Sequence, residues 1–137
     1  MTLQTLIYCS RPNDLRREDV DAILASSERN NAISDVTGML LFDKDHIVQV
    51  LEGGRAAVSA TLARILNDPR HRDVTIVSCA DSRARMFAAW RMRYVSRLEA
   101  DQADLLRFSP SRSFAPETMT GDALLGLCAE LSRRYAA

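Results

Sequence analysis

Several common chemistries are missing from this sequence. It has only three cysteines, Cys9, Cys79 and Cys128. That is an odd number without CxxC spacing, and free thiols in a reducing cytoplasm are the simplest reading. Its two histidines, His46 and His71, lie far apart, make a poor metal site and read as surface or edge residues. There is no GxGxxG turn, so dinucleotide binding of the Rossmann type is not supported. No nucleophile–base pair and no pair of carboxylates stands at a plausible site. Charge of one sign is also missing: 18 Lys and Arg balance 18 Asp and Glu, which leaves no broad field for nucleic acid or an anionic membrane. No apolar run nears the ~18 residues of a membrane span. The start, Met1-Thr2-Leu3-Gln4, lacks the basic and long apolar regions of a signal peptide.

What the sequence does have is one domain's worth of chain, 137 residues, enough for a core without disulfides or metal. Thr5 to Ser10 reads as a short apolar strand, and Arg11-Pro12-Asn13-Asp14 breaks it. A helix follows, with Val20, Ile23, Leu24, Ser27 and Asn31 on one face. Thr37 to Phe42 and Ile47 to Leu51 form a hairpin around Asp43-Lys44-Asp45. Ala56 to Asn67 is a second helix with Val58, Leu62 and Ile65 on its core face, stopped by Asp68-Pro69. Val74 to Cys79 and Trp90 to Val95 are the last two strands. This order, βαββαββ, predicts an α+β, ferredoxin-like layout with both helices on one face of a mostly antiparallel sheet.

The tail is helical over Asp101 to Phe108 and Asp122 to Tyr135, around an exposed loop at Ser109-Pro110-Ser111-Arg112-Ser113. Its later helix carries Leu124, Leu127, Cys128, Leu131 and Tyr135 in one stripe. The strands are apolar on both faces, so these helices are expected to cover the second face. A Leu-rich helix near a chain end also suggests a homodimer.

Gln49 stands out against this background. It lies inside the run His46-Ile47-Val48-Gln49-Val50-Leu51, which reads as a strand buried on both faces. An unpaired amide there costs ~2–7 kcal/mol, so something beside it must accept from its NH2 and donate to its oxygen. Tyr8 in the first strand, Asn31 on the apolar helix stripe, and Trp90 with Met92 on one face of the last strand are further misfits. Singly each has an ordinary explanation: a core aromatic for Tyr8, a helix C-cap for Asn31, gap filling for Trp90 and Met92. With the first and third strands adjacent, however, Tyr8, Gln49 and Asn31 converge into a polar spot in an apolar wall. Such a spot suits a flat ligand with a few hydrogen-bonding groups along its edge. The residues alone leave three functions open. One is a ligand-binding sensor. Another is a small hydrolase using Arg11 or Arg55 near a backbone anion site. The third is an interaction module that dimerises through the sheet edge or the tail.

Six stretches occur in order: Leu6-Ile7-Tyr8-Cys9-Ser10, Arg29-Asn30-Asn31-Ala32, Val36-Thr37-Gly38-Met39-Leu40, Gln49-Val50-Leu51-Glu52-Gly53, Asp68-Pro69-Arg70-His71-Arg72 and Phe87-Ala88-Ala89-Trp90-Arg91-Met92. Together they resemble the BLUF domain, the blue-light sensor using FAD. The resemblance runs from about Leu3 to Val95, and the tail resembles the helical cap of short, stand-alone BLUF proteins. It implies a flavin-binding part at residues 1–97 and a cap at 98–137 packed on the same domain. It implies FAD held non-covalently between the two sheet-packed helices, with Ile23 and Ile65 as walls. Asn31, with Asn30 beside it, would meet the flavin's pyrimidine edge, and Arg64 and Asp68, one helical turn apart, would lie at that edge or its rim. Tyr8 would be the electron and proton donor, Gln49 the bridge to the flavin, and Trp90 and Met92 the partners of Gln49. The resemblance implies a photoreceptor rather than an enzyme, signalling through the tail to an unknown protein in trans. Arg70-His71-Arg72 reads equally as a phosphate contact or a solvated turn. Glu52-Gly53-Gly54-Arg55 reads as a strand-to-helix turn rather than an anion cradle.

Overall fold

The structure is a computed structural model that describes residues 2–96 and 102–134. Its elements are β1 (Leu3–Pro12), α1 (Arg17–Ser34), β2 (Thr37–Phe42), β3 (Ile47–Gly54), α2 (Arg55–Leu66), β4 (His71–Ser82), β5 (Arg93–Ser96), α3 (Gln102–Phe108) and α4 (Gly121–Arg134), with a 3-10 turn at Pro116–Thr118. The sheet order is β4-β1-β3-β2-β5. The first four strands pair antiparallel, and β5 is added parallel to β2 at the edge. This is the expected ferredoxin-like sheet with one extra strand.

Successive side chains of a strand point to opposite faces, and both faces of this sheet are covered. Leu6, Tyr8, Leu40, Ile47 and Leu51 pack under α1 and α2, against Ile23, Leu24, Val58, Leu62 and Ile65. Ile7, Cys9, Met39, Leu41, Val48 and Val50 pack against Leu105, Leu124, Leu127, Cys128 and Leu131 of α3 and α4. The doubly apolar strands therefore have the two layers they require. The tail boundary expected between residues 97 and 98, and Tyr135 at the end of the stripe, lie outside the described residues.

Four local expectations are corrected. Arg11 and Pro12 do not break the first strand but continue it, paired with Arg72 and His71. The fourth strand starts earlier, at His71, and irregular pairing opposite Ile7/Tyr8 and Cys9/Arg11 scrambles the alternation that would have marked its full length. The last strand starts only at Arg93. Before it, the Trp90 amide donates to the Phe87 carbonyl and the Trp90 carbonyl accepts from Gly38 N–H, so this stretch is a pinned turn. Finally, the left-handed residue that ends α1 is Asp35, at φ 55°, not Asn31. Asp35 donates its N–H to the Asn31 backbone carbonyl, leaving the Asn31 side chain for other work.

Gly38 is where β2 comes closest to β3. A Cβ there would stand 1.9 Å from the Val50 carbonyl oxygen, a distance no side chain tolerates.

Leu127 is fully buried between α4 and the sheet. Leu127→Ala should cost about 2–5 kcal/mol through lost burial and the cavity left behind. Urea unfolding checks this, and an unchanged midpoint would mean that α4 is not part of the core.

Candidate functional site

The strand register sets up the site. Tyr8 in β1 lies directly opposite Gln49 in β3, on the face covered by α1 and α2. The Tyr8 hydroxyl donates to Gln49 Oε1. The other end of the amide, Nε2, donates to Met92 Sδ at 3.5 Å. Gln49 is only 4% exposed, and both ends of its amide are occupied, as a buried carboxamide requires. Burial, and secondarily the charge of Asp68, pushes the Tyr8 hydroxyl well above the usual phenol range. Tyr8 is therefore a neutral donor that does not ionise on its own.

Above this pair, between α1 and α2, is a cavity of about 480 Å³, within the ordinary range for a bound small molecule. Ile23 from α1 and Ile65 from α2 form apolar walls, and Tyr8, Leu40 and Gln49 form the floor. Asn30, Asn31, Arg64, Asp68, Arg70 and His71 supply polar groups around it. Asn31 is 1% exposed, and its Nδ2 donates to the Arg91 carbonyl at 2.7 Å. A flat, largely apolar ring with polar groups on one edge matches this lining.

The rim is an internal ion pair. Arg70 Nε and Nη2 grip the Asp68 carboxylate at 2.6–3.0 Å. Arg70 holds the Asp68 carboxyl below the usual carboxylate range against the opposing effect of burial. Asp68 lies beyond the end of α2, whose C-cap is Asn67, so it is not one helical turn from Arg64. Both nonetheless line the cavity.

With the geometry in place, the comparisons with known proteins are decisive. The family described as sensors of blue-light using FAD matches residues 3–93. The chain belongs to the BLUF family. It is 41% identical over 87 residues to the photoactivated adenylate cyclase subunit beta of Euglena gracilis, covering 63% of this chain but 10% of that protein. To the blue light- and temperature-regulated antirepressor BluF of Escherichia coli (strain K12) it is 33% identical over 106 residues, covering 77% of this chain and 26% of that protein. The chain thus spans about a tenth of the length of the cyclase relatives it matches. Among solved structures, the dark-state structure of the BLUF protein BlrB superposes with TM-score 0.78 at 33% identity, over 94% of this chain and 96% of that one. The BlsA photo-activated state superposes with TM-score 0.85 at 23% identity, over 94% of each chain, and shows the shared fold.

BLUF domains use FAD, and the cavity suits a flavin ring. Of the residues singled out in the sequence, Tyr8, Ile23, Asn30, Asn31, Gln49, Arg64, Ile65 and Asp68 all line it. Met92 reaches Gln49 from the loop before β5. Trp90 is the exception. It packs with Phe87 and the α3–α4 layer on the opposite face, so Trp90 and Met92 do not share a face. The turn at Trp90–Met92 passes from one side of the sheet to the other, which a period-two reading of a continuous strand cannot anticipate. Of the two alternative arginines, Arg55 is engaged by Asp81 at 2.9 Å near the Leu3 end of β1. Arg11 lies near the other end of that strand, 3.8 Å from Glu117, so each of the two arginines faces a carboxylate.

The sequence reading missed His71. It starts the edge strand β4, as expected of an edge residue, but it also lines the cavity and meets the Tyr8 ring edge-on at 6.2 Å. Its Nε2 lies 2.7 Å from the Ile65 carbonyl, which can only accept, so that nitrogen carries a proton. Its Nδ1 then faces the Ser10 hydroxyl at 2.7 Å. His71 thereby ties β1 and β4 to the end of α2. The only hint in the sequence was the basic run around it.

Because Tyr8 favours the neutral phenol when folded, its contribution to stability is complete below the unfolded value near pH 10 and is lost as pH rises through the higher folded value. In an alkaline titration followed by phenolate absorbance, one of the three tyrosines should fail to ionise until the fold is lost. Three ionisations in folded protein at about pH 10 would contradict the burial of this hydroxyl.

Proposed function

We propose that this chain senses blue light through Tyr8, Gln49 and Met92, with FAD bound non-covalently in the cavity between α1 and α2, and passes the signal to a protein partner in trans. The observation that carries the proposal is the continuous chain Tyr8 O–H···Gln49 Oε1 and Gln49 Nε2–H···Met92 Sδ on the cavity floor. Bound there, FAD supplies the chromophore and, on excitation, an electron acceptor. Ile23 and Ile65 exclude water from the ring faces, and Asn31 with Arg64 orients its polar edge.

Oxidation of a phenol turns its O–H into a strong acid, and the Tyr8 proton already points at Gln49 Oε1. A protonated amide, or one turned over, no longer presents the same edge. If the amide rotates, its NH2 faces the Tyr8 oxygen and its carbonyl oxygen faces Met92 Sδ, two acceptors without a proton between them. Met92 must then give way, so two packings of one loop follow from two orientations of one side chain. This is a bistable element whose populations light can bias.

The loop carries that change toward α3 and α4, which we propose as the surface a partner reads. The Leu stripe of α4 is buried on the sheet face it was expected to cover, Leu124, Leu127 and Leu131 included, so it is not free to hold a second copy, which favours a different protein as partner over a homodimer formed through it. Relatives are named as a light-activated cyclase and as an antirepressor, which supports an effector outside this sensor fold. No helix among the described residues is long and apolar enough to cross a membrane. We place the protein in the cytoplasm, a reading supported by cysteines that are free.

Purified protein should be yellow, and blue light should red-shift its flavin band reversibly in the dark. Gln49→Leu should keep the flavin and abolish the shift, and Tyr8→Phe should do the same. Asn31→Ala should weaken flavin retention about tenfold, the scale of a lost buried hydrogen bond. Absorption before and after illumination checks each variant. A normal photocycle in Gln49→Leu would refute the mechanism.

A further inference from the structure

A buried ionisable group lies outside the cavity and outside the Tyr8–Gln49–Met92 chain. Glu52 is 2% exposed, three residues beyond Gln49 on the same strand and therefore on the opposite face of the sheet. Its Oε1 accepts from the Thr37 hydroxyl at 3.0 Å and from Phe87 N–H at 2.9 Å, and its Oε2 accepts from Met86 N–H at 2.6 Å. Arg85 donates to the Glu52 backbone carbonyl at 3.1 Å and to the Thr37 hydroxyl at 2.9 Å. Every partner of these carboxylate oxygens is a donor, and two are consecutive backbone amides at the start of the loop that ends at Met92. A carboxylate accepting backbone amides in the interior makes strong, directional bonds.

We propose that Glu52 is a positioning residue for the light response, anchoring on the cap side of β3 the loop whose far end meets Gln49 on the cavity side. The path is continuous. Phe87 N–H binds Glu52, and its carbonyl accepts from Trp90 N–H. The Trp90 carbonyl accepts from Gly38 and the Arg91 carbonyl from Asn31. Met92 Sδ accepts from Gln49. The loop thus grips β3 from both faces. When Met92 leaves Gln49, the loop is still tied at Glu52 through Met86 and Phe87, so it turns about that anchor and moves Trp90, which packs on the α3–α4 layer. The anchor also returns Met92 to Gln49 in the dark.

The proposal rests on the blue-light reading above, but its test does not stand or fall with it. Glu52→Gln keeps the shape and leaves a single acceptor oxygen, so an NH2 must face the N–H of Met86 or Phe87. Trp90 is the chain's one tryptophan, and its fluorescence reports the loop directly. Relative to wild type, Glu52→Gln should bind flavin and show the full initial red shift. Its dark recovery should slow about tenfold, as expected for loss of a charge-assisted hydrogen bond. Acrylamide quenching of Trp90 in the dark should rise about twofold, an effect of the same origin. Thr37→Val, which removes one donor to the carboxylate, should move both readouts the same way by a smaller factor, and it decides the matter if Glu52→Gln does not fold. Recovery and Trp90 quenching within error of wild type in a folded variant would overturn the proposal, even if its melting temperature had dropped. A wild-type protein that binds flavin without any light response would refute the sensor mechanism instead, and dark quenching of Trp90 would still decide whether Glu52 holds the loop.

Discussion

The carboxamide of Gln49 is the constraint around which this fold is arranged. It sits in the central strand, where water cannot satisfy it, so both of its ends must be met by protein or ligand. A phenol from one neighbouring strand meets the oxygen, and a thioether from a loop meets the nitrogen. Placing those two partners requires β1 beside β3, and a connection after β4 that passes over the end of β2. The 4-1-3-2 strand order with an added fifth strand provides both. The glycine at position 38, with no room for a Cβ against the Val50 carbonyl, gives that connection a backbone amide to rest on at Trp90.

The two faces of the sheet have separate tasks. The α1–α2 face leaves a cavity because its helices supply partly buried Ile23 and Ile65 rather than a closed layer. The α3–α4 face is closely packed, with Leu124, Leu127, Cys128 and Leu131 fully buried in one cluster with Ile7, Met39, Val48 and Val50. An open face can take a ligand. A close-packed face resists continuous deformation and responds by discrete repacking. In the proposed mechanism a change beginning at the cavity would be carried to the cap where the chain passes from one face to the other, between Phe87 and Met92.

Much of this was legible in the sequence because burial leaves a pattern. The helix stripe at Val20, Ile23, Leu24, Ser27 and Asn31, the hairpin around Asp43, and the doubly apolar β3 each follow from periodicity. The misplaced polarity of Tyr8, Gln49 and Asn31 marked the cavity. The parts that were not legible lack such a pattern. The pairing irregularities opposite Tyr8 shift the alternation of β4, which hid its start at His71 and with it the tie from His71 to Ser10 and Ile65. Trp90 and Met92 have the two-residue spacing of a strand, yet the pinned turn at Trp90 sends them to opposite faces. Glu52 reads as the hydrophilic end of a strand, and only the folded loop reveals that it is among the most deeply buried side chains.

In the proposed mechanism, the weakness of one bond in the chain would make the switch reversible. The Tyr8–Gln49 contact is a buried hydrogen bond between good partners, but sulfur is a weak acceptor, and the amide meets Met92 at 3.5 Å. Had an oxygen stood at that position, turning the amide would forfeit a full buried hydrogen bond and set carbonyl against carbonyl, a difference of roughly 1–3 kcal/mol or more. A thioether on three rotatable bonds asks less and moves more easily. A stimulus shifts a two-state equilibrium only by the difference it makes between the states. In the proposed mechanism the soft partner would keep the two orientations of Gln49 close in energy, while the bonds at Glu52, Gly38 and Asn31 would give the exchange a defined motion.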